Sequence, residues 1–393
     1  MKNYKLASDT WDSKEYKAIE KVIKSNSFSM GKEVSFFEKE FSKFFNSKYC
    51  VMVNSGSSAN LLMIASLFFT QDKEKRLKKG DEVIVPAVSW STTYFPIQQY
   101  GLKAVFVDID PDTLNFDLDQ LEEAISRKTK LIFAVNLLGN SNNFNIINKI
   151  IKDKGILLLE DNCESMGAKF NNKHAGTFGI MGSFSSFYSH HIATMEGGYI
   201  LTGDEELYHI LLSLRAHGWT RNLPYSNKVT GFKNKSNFDE SFNFVLPGYN
   251  LRPLEISAGI GREQLKKLPH FIDQRRDNAI YFKKIFKDLS FVSTQKEVGK
   301  SSWFGFSIIL NNKTSISRKN LLKILDDHKI ETRPIVSGNF LKFKKVLKYF
   351  DYRVHGELKN AKNLDKHGFF VGNHHLKIHK QLDQLKKILA SNC

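Results

Sequence analysis

The chain has few cysteines and no long apolar run. Of its 393 residues, only Cys50, Cys163 and Cys393 are cysteines. An odd, sparse set without CxxC spacing argues against a zinc or iron–sulfur site and favours a reducing compartment. No apolar run reaches the length of a membrane span, and the first residues lack the apolar core of a signal peptide. We therefore expect no bound metal, no membrane association and a cytoplasmic location.

Acidic residues are scarce relative to basic ones. The chain has 58 Lys and Arg against 41 Asp and Glu, a net charge of +17. Such a charge can attract an anionic substrate or a nucleic acid. The basic residues are dispersed and interleaved with acids, as in residues 72–81, so a solvated surface is the favoured interpretation. We find no nucleic-acid motif and expect no nucleic-acid partner, whereas a phosphate-bearing substrate suits either interpretation.

Short β-branched runs alternate with helical patterns after an N-terminal helical segment. Strands are predicted at residues 49–53, 81–85, 104–108, 131–135 and 156–160. Because these runs are nearly continuous in apolar residues, they indicate an α/β fold with a mostly parallel sheet covered on both faces. Helices are predicted at 256–268 and 269–287, with a polar loop at 222–243. We predict a large domain over residues 1–268 and a smaller C-terminal α+β domain over 269–393.

Two segments that follow predicted strands are suited to binding a cofactor. Asn54-Ser-Gly56-Ser57 opens a helix, where backbone N–H groups and hydroxyls form an anion site that suits a phosphate. A simple N-cap turn is the alternative. Trp90 lies just after the strand that ends at Pro86, and an aromatic ring there can stack on a flat cofactor. Core packing is the alternative for Trp90.

Two carboxylates follow the strand at 156–160. Asp161 can pair with a protonated pyridine nitrogen and make such a ring a better electron sink. Its alternative role is to cap the next segment. Glu164, three residues later, can contact the hydroxyl side of the ring or a substrate.

No lysine occurs between Lys173 and Lys228, a stretch that contains two adjacent histidines. Neighbouring residues on a regular element point in different directions, so we expect only one of His190 and His191 to face a cofactor. An imidazole can move a proton but cannot form a stable imine with an aldehyde. A catalytic His190 would therefore act on a cofactor held without a covalent bond, and a structural histidine is the alternative.

Two further side chains could bind anions. His217 follows a predicted helix that begins at Glu205, and it could bind a substrate carboxylate or interact with the negative end of that helix. Arg252, in Gly248-Tyr-Asn250-Leu-Arg252-Pro, precedes a helix and fits a phosphate or carboxylate clamp. A surface salt bridge is the alternative for Arg252.

Taken together, these blocks resemble the DegT/DnrJ/EryC1/StrS aminotransferase family, a branch of the fold-type I pyridoxal-phosphate (PLP) enzymes. The resemblance extends from Trp11 to the last helix and includes the ordered segments 90–94, 160–167, 187–198 and 215–224. In that family, a lysine eight residues before a second glycine binds the cofactor covalently. Counting back eight from Gly198 gives His190. The resemblance implies an aspartate-aminotransferase-like fold and pyridoxal or pyridoxamine 5'-phosphate as the cofactor.

The resemblance also implies roles for individual residues, with His190 as the single acid/base. The implied cofactor-binding residues are Gly56, Ser57, Trp90, Asp161, Glu164, Ser185 and Asn250. Asn250 resembles a residue that reaches the phosphate of the neighbouring subunit, which implies a homodimer with shared active sites. The implied substrate-binding residues are His217, Arg252, Phe28, Ser29, Met30, Gly31, Glu331 and Arg333. Of these, His217 and Arg252 would hold carboxylates of the co-substrate, and the others would contact a nucleotide sugar.

Within the family, the motifs resemble those of a lyase in the biosynthesis of colitose, a 3,6-dideoxy sugar of O-antigen lipopolysaccharide. The implied reaction is C3 dehydration of GDP-4-keto-6-deoxy-D-mannose to GDP-4-keto-3,6-dideoxy-D-mannose. L-glutamate would regenerate pyridoxamine phosphate, with release of 2-oxoglutarate and ammonia.

Three other functions remain open. An iron–sulfur dehydratase of a CDP-linked sugar needs four cysteine ligands in its C-terminal half, where this chain has only Cys393. A nucleotide-sugar 4-aminotransferase is disfavoured by the missing lysine. A non-catalytic relative is disfavoured because the other cofactor-binding residues are in place.

Overall fold

The computed structural model describes residues 3–393 and contains sixteen strands and thirteen α-helices over that range. The strands are β1 Tyr49–Val53, β2 Glu82–Pro86, β3 Lys103–Val107, β4 Thr129–Val135, β5 Leu157–Asp161, β6 Lys169–Phe170, β7 Lys173–His174, β8 Met181–Ser185, β9 Gly198–Thr202, β10 Ser226–Asn227, β11 Gly231–Phe232, β12 Val292–Ser293, β13 Gly305–Leu310, β14 Thr332–Arg333, β15 Tyr352–Val354 and β16 Gly368–Gly372. The helices are α1 Ser13–Ser25, α2 Lys32–Phe44, α3 Gly56–Phe69, α4 Ser91–Gln99, α5 Leu118–Glu123, α6 Phe144–Ile151, α7 Glu205–Arg215, α8 Asn237–Glu240, α9 Glu255–Phe286, α10 Arg318–Asp327, α11 Lys344–Leu347, α12 Lys359–His367 and α13 His379–Asn392. Short 3-10 turns lie at Leu137–Gly139 and Phe340–Lys342. Within this range, none of the helices combines the length and the apolar character needed to cross a bilayer.

The central sheet has eight strands in the order β1-β9-β8-β5-β4-β2-β3-β15. Strand β9 pairs antiparallel with β1 and β8, and the remaining neighbours pair in parallel. Helices α3, α4 and α7 pack on one face of the sheet, and α5 and α6 pack on the other. The strands are therefore buried on both sides, which is why their sequences are apolar throughout. The predicted mostly parallel sheet is confirmed.

The carboxyl ends of the parallel strands meet at one edge of the sheet. Strand β5 ends at Asp161, β8 ends at Ser185, and Asp161 pairs directly with Ser183 of β8. Strand β1 has the same direction as β8, and the chain after β1 turns into α3 at Gly56. The residues that follow these three strands are thus brought together although they are far apart in sequence.

The C-terminal part contains a smaller antiparallel sheet in the order β12-β13-β16-β14. Helix α9 connects it to the rest and continues through Pro269, so the prediction of two separate helices is wrong. Pro269 is exposed, whereas its neighbours Leu268 and Phe271 are buried. Burial of this helix face offsets the roughly 3 kcal/mol that a proline costs inside a helix. The proposed domain boundary at residue 268 falls inside α9, and the division into two domains stays a prediction.

The segment predicted as a loop, residues 222–243, is partly structured. It contains the short hairpin β10–β11 and the single-turn helix α8. Several large aromatic side chains of this region are exposed, among them Phe238, Phe242 and Phe244.

Gly139 tests how tightly the part of the chain with the large sheet packs against the C-terminal part, which contains Trp303. Its φ is +93°, and a Cβ atom there would lie 2.4 Å from the backbone nitrogen of Trp303. Gly80 has a similar φ of +86°, but nothing lies within 4 Å of its Cβ position. Both alanine substitutions incur the ~1–2 kcal/mol cost of a left-handed conformation. We expect Gly139→Ala to lose about 2 kcal/mol more than Gly80→Ala in free energy of unfolding, measured with denaturant. Equal losses would contradict this packing.

Candidate active site

The N-terminus of α3 forms one wall of a cavity at the carboxyl edge of the sheet. Ser55 caps the helix by accepting a hydrogen bond from the N–H of Ser58. A Cβ atom on Gly56 would lie 2.7 Å from Cβ of Ser185, so only glycine lets the helix approach β8 this closely. The hydroxyls of Ser57 and Thr92 lie 2.8 Å apart. First-turn N–H groups have no acceptor within a helix, so together with these hydroxyls they form a site for a phosphate.

Asp161 is held as a fixed, buried carboxylate at the end of β5. Its Oδ2 accepts hydrogen bonds from Asn60 Nδ2 and Thr93 Oγ1, both at 2.7 Å. Its Oδ1 accepts one from the backbone N–H of Cys163 at 3.2 Å. These hydrogen bonds fix the direction of the carboxylate. The carboxylate can therefore pair with a cationic ring nitrogen in the cavity.

Glu164 lies in the same cavity in a less polar environment. Its Oε2 accepts a hydrogen bond from the N–H of Leu138 at 3.1 Å. Burial, together with the negative charge of Asp161, raises the pKa of Glu164 to about 7. Near neutral pH this side chain can therefore both hold and release a proton.

His190 lies in a turn after β8, where its backbone N–H donates to the carbonyl of Phe187 at 2.8 Å. Its Nδ1 is buried and has no hydrogen-bond partner among the described residues. Burial, with a smaller contribution from the charge of Arg275, lowers the pKa of His190 to about 4. The imidazole is therefore neutral at pH 7 and can accept a proton.

His191 has a structural environment. Its side chain is fully buried, and its Nε2 lies 3.2 Å from the carbonyl oxygen of Ser302. Of the two histidines, only His190 lines the cavity. This agrees with the expectation that adjacent side chains point in different directions.

These side chains line one cavity of about 660 Å³. The residues predicted from the sequence that line it are Gly56, Ser57, Trp90, Asp161, Glu164, Ser185, His190 and Arg333. The indole of Trp90 is 57% exposed, so it lies at the rim and is not part of the core. A flat ring could contact it there.

The other predicted site residues lie outside the cavity of this single chain. Arg252 Nε donates to Asn250 Oδ1 at 2.9 Å, and both Arg252 and His217 pack against Trp219. Glu331 accepts a hydrogen bond from the N–H of Leu6 at 2.9 Å.

Residues 28–31 form a second group outside the cavity. Ser29 pairs with Leu254, and the backbone N–H of Gly31 donates to the carboxylate of Glu255 at 2.7 Å. Phe28 is 52% exposed, while Met30 packs against the core beneath α2. Residues 28–31 therefore contact Leu254 and Glu255, which follow Asn250 and Arg252 closely in the chain.

Several residues that build the cavity were not predicted from the sequence. Asn60 lies one turn into α3 from Gly56, and Thr93 follows Trp90 in the same short motif, so helix periodicity and motif position could have suggested both. Asn136 and Phe304 also line the cavity. Nothing in the sequence around Phe304 indicates this, because its position depends on contacts with distant parts of the chain.

This combination of a phosphate site, a buried acid and a rim aromatic is suited to a PLP enzyme of fold type I. The residues present fit that cofactor: Asp161 for its ring nitrogen, the α3 N-terminus with Ser57 and Ser185 for its phosphate, and Trp90 for its ring face. The model for the DegT/DnrJ/EryC1/StrS aminotransferase family matches residues 9–388, and the chain belongs to that family. It is thus a PLP-dependent enzyme with an aminotransferase-like fold.

Individual relatives agree with this assignment. The chain is 64% identical, over 99% of its length and 100% of the relative, to GDP-4-keto-6-deoxy-D-mannose 3-dehydratase of Escherichia coli O55:H7. A structure of GDP-4-keto-6-deoxymannose-3-dehydratase with a trapped PLP-glutamate geminal diamine superposes with a TM-score of 0.97 at 63% identity, covering 98% of this chain and 100% of that one. A variant of that enzyme with bound GDP-perosamine matches with the same values.

We expect Asp161→Asn to weaken PLP binding by about tenfold or more, because the amide has no negative charge for the ring nitrogen. PLP affinity would be measured by an absorbance titration of the purified protein. Asp112→Asn is the matched control, since Asp112 forms an exposed ion pair with Lys296. Unchanged affinity in a folded Asp161→Asn variant would contradict the proposed contact.

Proposed function

We propose that this enzyme removes the C3 hydroxyl of GDP-4-keto-6-deoxy-D-mannose and forms GDP-4-keto-3,6-dideoxy-D-mannose. L-glutamate supplies the amino group that converts PLP to pyridoxamine phosphate, and 2-oxoglutarate and ammonia are released. The observation that carries the proposal is the neutral imidazole of His190 in a cavity that no lysine lines. A relative with 64% identity along the whole chain is a dehydratase of this sugar.

The chemistry divides between the cofactor and the protein. When bound, PLP acts as an electron sink for a carbon atom that loses a proton beside it. The charge of Asp161 supports that role, while Ser57, Ser185 and the α3 N-terminus anchor the phosphate. His190 accepts the proton at an imidazole nitrogen and returns it to the departing C3 hydroxyl, which leaves as water.

Replacing lysine by histidine at this position determines which product forms. A lysine amine can return the proton to sugar C4, which gives an ordinary amino sugar, and it can also bond to the cofactor aldehyde. An imidazole forms no stable bond with the aldehyde, and the proton of His190 is proposed to go to the C3 hydroxyl and not to C4, so elimination of water becomes the favoured outcome. The amino product of elimination then loses ammonia after release.

The direct test is a product assay with purified enzyme, PLP, glutamate and GDP-4-keto-6-deoxy-D-mannose. We expect 2-oxoglutarate, ammonia and a nucleotide sugar lighter by one oxygen atom. We expect His190→Lys to abolish dehydration. A stable amino sugar without ammonia from the unmodified enzyme would make it an aminotransferase. Substantial dideoxy sugar from His190→Lys would contradict the single-base role. Replacing the GDP sugar by its CDP counterpart tests the choice of nucleotide.

We further propose that the enzyme works as a homodimer in which each chain completes the other's site. Asn250, His217 and Arg252 lie outside the cavity of their own chain, and the adjoining Phe28 and Leu254 are 52% and 60% exposed. A large exposed apolar area next to polar side chains is typical of a protein interface. Asn250 would then reach the partner's cofactor phosphate, with His217 and Arg252 holding the carboxylates of glutamate.

The remaining substrate contacts are also proposals. Residues Phe28–Gly31 are proposed to contact the nucleotide sugar together with Glu331 and Arg333, of which only Arg333 lines the cavity of its own chain. The carboxylate of Glu331 already accepts a hydrogen bond from Leu6, so it would need a second donor. The three free cysteines favour a reducing compartment, and we propose the cytoplasm.

Mixing two inactive variants tests the shared site. A hybrid of His190→Asn and Asn250→Ala chains contains one intact site, so random mixing should restore about a quarter of the unmodified activity. The control pair, His190→Asn with Asp161→Asn, damages both cavities in every hybrid and should restore none. If hybrids form, as shown by two differently tagged chains, but no activity returns, Asn250 does not act across the interface.

A further inference from the structure

The imidazole of His190 lies between two phenyl rings. The Phe304 ring is 5.2 Å from it at an interplanar angle of 67°, and the Phe187 ring is 5.9 Å from it at 84°. Both are edge-on contacts, which hold a ring in one orientation. Phe187 belongs to the same turn as His190, whereas Phe304 comes from the C-terminal part of the chain and also lines the cavity.

The backbone before Phe304 is tied to the large sheet. The N–H of Ser302 donates to the carbonyl of Gly139 at 2.9 Å, and the N–H of Phe304 donates to that of Leu138 at 3.0 Å. Trp303, between them, has a φ of +49°, an uncommon conformation that the surrounding contacts enforce. The N–H of Leu138 donates in turn to the carboxylate of Glu164, which also lines the cavity. The backbone of Phe304 is therefore linked through Leu138 to Glu164.

Arg275 of α9 fixes the other side of this backbone. Its guanidinium is buried, and its Nη1 donates to the carbonyl oxygens of Phe304 at 3.1 Å and Asn373 at 2.8 Å. It forms no ion pair with any described residue. Burial lowers the pKa of Arg275 to about 10, so it remains charged at pH 7. Backbone carbonyls, and no carboxylate, therefore accept the hydrogen bonds of this buried cation, and one of these carbonyls belongs to Phe304.

We propose that Arg275 and Phe304 form one positioning unit for His190. Arg275 fixes the backbone of Phe304, and the Phe304 ring fixes the imidazole and excludes water from it. The inference rests on the proposed function only in taking His190 as the group that moves the proton. Neither Arg275 nor Phe304 takes part in the chemistry.

The unit also keeps His190 in its proton-accepting form. The titratable and charged groups around His190 are Arg275 and His191 behind it, and Asp161, Glu164, Glu196 and Arg333 along the cavity. Exclusion of water and the positive charge of Arg275 both disfavour the imidazolium ion. Loss of the Phe304 ring, which excludes water, or of the Arg275 charge should therefore raise the pKa of His190 towards the ordinary histidine range.

Phe304→Leu tests the unit, and Phe306→Leu is the matched control. Phe306 lies two residues further along, is fully buried, and stacks on Phe282 in the separate C-terminal core. We expect Phe304→Leu to lower kcat about tenfold with the KM for the sugar within about twofold. The acid limb of its pH–kcat profile should move to higher pH, and Phe304→Tyr should restore both properties. Phe306→Leu should lower only the melting temperature.

NMR of histidine-labelled protein provides a readout that does not depend on turnover. The His190 signal, assigned with His190→Asn, should titrate at higher pH in Phe304→Leu and in Arg275→Met than in the unmodified protein. If Arg275→Met does not fold, Phe304→Leu decides the question. A folded Phe304→Leu variant with unchanged His190 titration and kcat would overturn the inference. If the unmodified enzyme fails to dehydrate the sugar while the variants still show the titration shift, only the proposed function is refuted.

Discussion

A neutral imidazole in an apolar setting is the constraint on which the rest of the site depends. An imidazole at residue 190 can accept and return a proton, but it cannot hold an aldehyde covalently. Retention of the cofactor must then come entirely from non-covalent contacts. We propose that the fixed carboxylate of Asp161, the N-terminus of α3 and the rim indole of Trp90 supply these contacts from the carboxyl edge of the sheet.

The parallel strands of the sheet bring these groups together. Strands β1, β5 and β8 end at the same edge, so residues separated by more than a hundred positions meet without any long, flexible loop. The C-terminal part contributes several lining residues, among them Arg333 and Phe304, and the backbone of Phe304 is held by Leu138 and Arg275. His190, the proposed acid/base group, thus contacts both parts of the chain, and the long helix α9 supplies the arginine that links them.

Local patterns were sufficient to predict part of this arrangement. The residues that follow predicted strands, such as Gly56 and Asp161, could be found because parallel strands place their carboxyl ends together, whereas Ser185 was implied only by the family resemblance. Arg275 and Phe304 could not, because their roles depend on tertiary hydrogen bonds between segments that are distant in sequence, such as that of Phe304 with Leu138 and that of Arg275 with Asn373. Helix α9 was divided at Pro269 because propensity favours a break there, whereas burial of the flanking apolar residues keeps the helix continuous. Asn250 was implied by the family resemblance as a cofactor contact, and in the single chain it lies outside the cavity and pairs with Arg252.

Borohydride reduction tests the central claim most directly. The protein would be loaded with PLP, reduced with borohydride and digested, and the masses of its peptides would be measured by mass spectrometry. Reduction makes any bond between the cofactor aldehyde and a lysine permanent. The account predicts that no peptide carries the cofactor in stoichiometric amount, although the unreduced protein retains it. A single peptide that carries one cofactor per chain would contradict the account, because a lysine would then hold the cofactor and His190 would not stand in its place.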